Sequence, residues 1–248
     1  MARNILTILL ILLLGSGAAP AYAAGADPLY EQQPPDHSAW DKLLRQNSYP
    51  DGTVNYNGFA LQRAELESYI RSLEDTPPSE SWSREEKLAY YINLYNAVTV
   101  RLILDHFPVE SILNIRNPWG QKLFRIGDAQ HTLNELEHEI LRKLDEPRIH
   151  FAINCASFSC PVLQPFAFTA SELETQLEMV ARNFINDPKR NRTRPGSVSL
   201  SRIFKWYRED FAPSRSGLIE YINGYLETPL PQDADFDFLP YDWSLNRP

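Results

Sequence analysis

The chain has 248 residues, 24 Lys and Arg against 32 Asp and Glu, and 43% hydrophobic residues. That is enough for one sizeable core. A net charge of −8 gives no electrostatic support to nucleic-acid binding, since an acidic surface repels phosphate backbones. Only two cysteines, Cys155 and Cys160, are present, too few for a disulfide-built scaffold.

Residues 1–23 read as a secretory signal. Arg3 supplies the positive start, Ile5 to Leu14 an apolar run interrupted by Thr7, and Ala21-Tyr22-Ala23 a small-x-small cleavage pattern. The run falls short of the roughly 20 residues needed to span a bilayer. No cysteine follows it to carry a lipid anchor. A periplasmic or secreted protein is expected, with no membrane span once the signal is cleaved. Removing the signal takes away one positive charge, Arg3, and leaves the remainder more acidic still.

Residues 24–37 are polar and Pro-containing and read as an extended arm; residues 38–248 read as one globular domain. Ser38 opens a short helix. Asn47 to Tyr56 holds turn residues and room for a short strand. Leu61, Leu66, Tyr69, Ile70 and Leu73 predict a helix over 58–73. Ser83 with Glu86 forms a capping box that starts the strongest predicted helix, 84–106, closed by Pro108. Trp119 to Gln130 reads as strand, turn and strand around Gly127-Asp128. Thr132 with Glu135 is a second capping box, opening a helix from 133 to about 144. Ile149, Phe151 and Ile153 alternate with their neighbours and predict a strand over 148–154. A Pro-punctuated loop, 155–168, follows. Helices are expected over 171–186, 203–211 and 216–226, with a polar loop at 187–197 and a short strand at 198–200. Helices outnumber strands without alternating with them, which predicts an α+β fold: a mostly helical single domain with a small β-sheet.

The loop Asn154-Cys-Ala-Ser-Phe-Ser-Cys-Pro carries the chemistry. A thiolate needs a nearby base or positive dipole to lower its pKa from about 8.5. His138 and His150 are the candidate bases. On the predicted strand, His150 points away from Cys155, so strand parity favours His138 as partner of that cysteine; it says nothing about Cys160. Glu137 adjoins His138 on a helix at about 100°, so it would orient the ring poorly by itself. Asn93 and Asn96, three apart in an apolar helical segment, reach neighbouring faces. Asn96 is read as satisfying loop backbone groups, and Lys205 to Phe211 as core aromatics. A Cys155–Cys160 disulfide or inert buried thiols explain the cysteines equally well. Zinc held by both cysteines with His138 and His150 is a third reading, but the spacing matches no common zinc pattern. Neither a metal nor a cofactor is expected.

Five segments, KLAYYINLYNAVTVRLI, TLNELEHEILR, RIHFAINCASFSCP, LSRIFKWYREDF and YDWSLN, together resemble the domain of unknown function 547 family. The resemblance covers about residue 80 to the end. It implies that Asn93, Glu137, His138, Arg142, Arg148, His150, Cys155 and Cys160 fall on recurrent motif positions. Plant members carry the domain behind coiled-coil segments, which this chain lacks. The His-bearing helix beside a cysteine loop is also distantly similar to papain- and transglutaminase-like enzymes. In those the cysteine usually starts a helix, so the likeness is of fold alone.

The functional expectation is a thiol-dependent hydrolase or acyltransferase acting on a small-molecule or peptide-like substrate. Cys155 is the nucleophile, with Cys160 as the other candidate, and His138 is the base, oriented by Asn93 or Glu137. Arg142 or Arg148 would bind a substrate carboxylate, with His150 beside them. The competing expectation is a non-enzymatic ligand- or partner-binding domain shaped by a Cys155–Cys160 disulfide.

Overall fold

A computed structural model describes residues 33–194 and 196–248. The signal segment 1–23 and most of the predicted arm lie outside the described residues. The described end of the arm, 33–37, has neither helix nor strand, and His37 at its close is buried with its Nδ1 2.8 Å from the Tyr69 hydroxyl.

The fold is a mostly helical α+β arrangement. Helix α1 (Ser38–Asn47) buries Trp40, Leu43 and Leu44. The predicted helix over 58–73 is two helices, α2 (Tyr56–Leu61) and α3 (Arg63–Asp75). Gln62 leaves helical geometry between them and accepts from Asn47 Nδ2 at 2.7 Å. The break turns Leu61 out to 89% exposure, so Leu61 does not belong to the stripe of Leu66, Tyr69, Ile70 and Leu73 that α3 buries.

Helix α4 (Arg84–His106) begins at the Ser83/Glu86 capping box. Its buried residues run round every face from Leu88 to Leu104, the pattern of a helix enclosed by its neighbours. Strands β1 (Phe124–Ile126) and β2 (Ala129–His131) form an antiparallel hairpin. Gly127 sits in its turn at φ 59, where a side chain would be strained.

The helix opened by Thr132 and Glu135 changes winding as it goes. One α-turn, α5 (Leu133–Glu135), passes into a π-helical segment (Leu136–Ile140) and a 3-10 segment (Leu141–Leu144). Asp145, in the left-handed region at φ 52, ends it, and Arg84 donates to the freed carbonyls of Leu144 and Asp145.

The strand predicted over 148–154 is absent; Pro147–Phe151 is a 3-10 helix. Glu146 accepts from the Arg148 amide and Pro147 takes the first helical position, so the chain is committed to a turn before the apolar residues begin. Residues 149–153 are all buried, a site enclosed on every side. Sequence alternation there reflects no two-faced sheet.

After the loop, a 3-10 turn (Ala170–Glu172) leads into α6 (Leu173–Asn186). Strands β3 (Arg192–Arg194), β4 (Ser197–Leu200) and β5 (Phe236–Phe238) make a three-stranded sheet. In it β3 pairs antiparallel and β5 parallel with the central β4. The predicted helix over 203–211 is split into α7 (Ile203–Trp206) and α8 (Arg208–Phe211), and α9 spans Arg215–Asn223. Phe151, Phe184, Phe204 and Phe211 stack at centroid distances of 5.0–6.2 Å. This aromatic core ties the 3-10 turn to α6, α7 and α8. Among the described residues no helix is long and apolar enough to cross a membrane.

Candidate functional site

The cysteine loop is set by two asparagines on α4 and one of its own. Asn96 donates to the Ala152 carbonyl at 3.0 Å and accepts from the Asn154 amide at 2.8 Å. Asn154 accepts from the Ala156 amide and donates to the Pro161 carbonyl. Asn93 makes the same two-way clamp on the Phe168 backbone, at 2.7 and 3.0 Å. Asn93 is fully buried and faces the end of the loop. It does not line the cavity described below and, among the described residues, hydrogen-bonds no histidine; its place is a backbone clamp.

Cys155, partly exposed, opens onto a cavity of about 270 Å³ that also receives Glu137, His138, His150, Cys160, Tyr95, Tyr207 and Tyr241, with Trp119, Trp206 and Trp243 along its wall. Five of the eight predicted site residues therefore converge. A larger hollow of about 620 Å³ lies elsewhere, bounded by α6 and the loop around Phe166, and takes in none of the eight.

The two thiols are free, so no disulfide joins them here. The Cys155 amide donates to Cys160 Sγ at 2.8 Å. The hydroxyls of Ser157 and Tyr241 lie 3.2 and 3.4 Å from Cys155 Sγ. The Cys160 thiol beside it, with those hydroxyls, outweighs burial and lowers the Cys155 pKa to about 7. Burial pushes the Cys160 thiol up. Among the described residues neither imidazole hydrogen-bonds either sulfur. What stabilises a Cys155 thiolate is a set of S–H and O–H donors.

The π-helical winding brings Glu137 and His138 onto the same cavity. Because i→i+5 winding puts more residues in each turn, successive side chains diverge less than in an α-helix; π segments of this kind recur at functional sites. Glu137 is buried and accepts from the Tyr95 hydroxyl at 3.2 Å. Burial, and then the Glu137 carboxylate facing it, push the Tyr207 phenol up.

The two histidines are held in opposite ways. Arg142 Nη1 lies 3.0 Å from His138 Nδ1. A guanidinium only donates, so the neutral His138 ring accepts there and carries its proton on Nε2. His150 Nε2 lies 2.7 Å from Asp210 Oδ2. Burial opposes the Asp210 carboxylate, but the bonds from His150 and Arg142 outweigh it and hold its pKa well below the carboxylate range. A carboxylate only accepts, so His150 carries a proton on Nε2. Its Nδ1 is buried and without a hydrogen-bond partner. Tyr207 packs between the rings, 3.9 Å from His150 and 6.2 Å from His138 by centroid.

The arginines expected to bind substrate are already engaged. Arg142 grips Asp210 with two bonds of 2.6 Å, and Arg148 is bound on both sides by Glu146 and Glu174. Neither lines the cavity. A guanidinium already engaged by carboxylates has little left to offer a substrate carboxylate. The four-ligand zinc set does not form either: among the described residues no group of three or more His, Cys, Asp and Glu side chains could hold a metal ion.

Asp210, the three tyrosines and the three tryptophans are the parts that sequence spacing misses. Trp206, Tyr207 and Asp210 sit in a stretch whose helical spacing reads as core, and nothing local marks Trp206 and Tyr207 as reaching the cavity or Asp210 as reaching His150. No curated protein and no solved structure matches the chain. Residues 79–185, which carry Glu137, His138, His150, Cys155 and Cys160 into the cavity, match the family described as protein of unknown function, DUF547.

Proposed function

We propose that this domain is a cysteine-dependent acyl-transferring enzyme, a hydrolase or acyltransferase, and that it works outside the cytoplasm, where a signal at residues 1–23 would send it. The reading rests on one observation: a partly exposed thiol with a lowered pKa shares a cavity with two histidines fixed in complementary hydrogen-bonding roles.

The thiolate is stabilised without an imidazole, so both histidines are free to act on the acyl group. Cys155 Sγ attacks the carbonyl carbon, a C–S bond forms, and negative charge develops on the carbonyl oxygen. The Nε2–H of His138 and the Tyr241 hydroxyl are the donors suited to that charge. The bond to the leaving group breaks, and its thiolate or alkoxide departs and takes a proton from solvent. A water or amine then attacks the thioester carbon: a C–O or C–N bond forms, the C–S bond breaks to return the Cys155 thiolate, and the attacking group's proton passes to Nδ1 of neutral His150, whose Nε2–H Asp210 holds. This reverses the parity argument for His138 as base, which fails with the strand it assumed. The aromatic wall and the small volume suit a compact apolar or planar acyl group.

The test uses a panel of small thioesters and activated esters, with intact-mass spectrometry of the protein. The native chain is expected to gain one acyl group on Cys155. His150→Gln should accumulate that adduct, because its removal is slowed. Turnover that survives Cys155→Ser, or a panel that gives neither adduct nor turnover, overturns the proposal in favour of a binding domain.

A further inference from the structure

The loop between the cysteines folds back on itself. Ala156 takes the left-handed region at φ 62, and the Cys160 amide donates to the Ser157 carbonyl at 3.1 Å. This turn sets Cys160 Sγ against the backbone amide of Cys155. The two sulfurs thus belong to one cavity wall, with Cys155 partly open to solvent and Cys160 only 4% exposed.

From this juxtaposition we infer that Cys155 and Cys160 form a reversible dithiol–disulfide couple, in which a hydroperoxide oxidises Cys155 and Cys160 resolves it. The inference needs only the two sulfurs and stands whether or not the domain transfers acyl groups. Exposure decides the order of events: a small peroxide meets Cys155 first, and the same donors that favour its thiolate make it the nucleophile.

In the first step Cys155 Sγ attacks the outer peroxide oxygen. An S–O bond forms, the O–O bond breaks, and the departing alkoxide or hydroxide takes a proton and leaves as alcohol or water. Sulfur is oxidised by two electrons to a sulfenic acid, and the peroxide is reduced by two. In the second step the Cys160 sulfur attacks Cys155 Sγ. An S–S bond forms, the S–O bond breaks, and the hydroxyl leaves as water with the proton from Cys160. Closing so short a loop adds little chain-entropy stabilisation, so an external dithiol can reopen the bond. Disulfides of weak stabilisation are the labile, regulatory kind. While it lasts, the bond withdraws the Cys155 nucleophile.

The experiment treats the native chain with a small excess of hydrogen peroxide, blocks remaining thiols with N-ethylmaleimide in denaturant, and measures intact mass and peptide maps. Titratable thiols are expected to fall from two to none with the loss of two hydrogens, and dithiothreitol should restore both. Cys160→Ser, which keeps an acceptor for the Cys155 amide, should instead hold a sulfenic acid on Cys155 that dimedone traps. Cys155→Ser should leave Cys160 reduced at the same dose. The inference is overturned if the native chain collects sulfinic acid on Cys155 while Cys160 stays alkylatable. Disulfides only between chains, or two thiols that survive peroxide unchanged, overturn it equally.

Discussion

At the scale of single residues, the two histidines differ because their partners differ. Arg142 can only donate and Asp210 can only accept, so the His138 ring accepts at Nδ1 and the His150 ring donates from Nε2. Asp210 is the hinge of this arrangement, since it binds both Arg142 and His150. Asp210→Asn puts an amide opposite His150 that can donate as well as accept, which lets the imidazole proton move to Nδ1. Loss of the charge-assisted bonds should cost about 2 kcal/mol in urea denaturation. Turnover of an acylating substrate should fall about a hundredfold, the lower end of what a positioned acid–base group contributes. Unchanged turnover in a folded variant would remove His150 from the mechanism. Sequence reasoning found the titratable residues that converge, because Cys, His and Glu in one short stretch are chemically conspicuous. It did not find what engages Arg142 and Arg148, because Asp210 and Glu174 are brought in by folding alone.

At the scale of elements, α4 does more than fill the core. Its two buried asparagines, one turn apart, clamp separate stretches of the same loop: Asn96 at its start and Asn93 at its end. Asn96→Ala leaves a buried carbonyl and a buried amide without partners and should destabilise the chain by about 2 kcal/mol. It should also slow alkylation of Cys155 by disturbing the loop that aligns its donors. Asn93→Ala should destabilise by a similar amount yet leave Cys155 reactivity unchanged. Equal effects of the two variants on reactivity would contradict separate clamps. The capping boxes at Ser83 and Thr132 and the hairpin around Gly127 were legible from local chemistry, since caps and turns are satisfied by residues within a few positions. The 147–151 turn was not. Buried on all sides, its residues alternate in type without alternating in environment, and periodicity has no purchase there.

At the scale of the whole molecule, the cavity is assembled from segments far apart in the chain. The C-terminal stretch straps them together. Ser244 bridges to Ser111 and Leu245 to Ser157, Asn246 takes the Val54 amide at 2.7 Å and the Tyr56 hydroxyl at 2.7 Å, and Tyr241 and Trp243 complete the cavity wall. The reactivity of Cys155 is therefore a property of the folded chain, and that can be read directly. Cys155 alkylation by iodoacetamide, followed by peptide mass against pH, reports the thiolate, which forms as pH rises through its pKa. The rate should be half-maximal near pH 7, with Cys160 unmodified until the chain is denatured. A midpoint at or above the ordinary thiol value of about 8.5, or Cys160 reacting as fast as Cys155, would contradict this expectation.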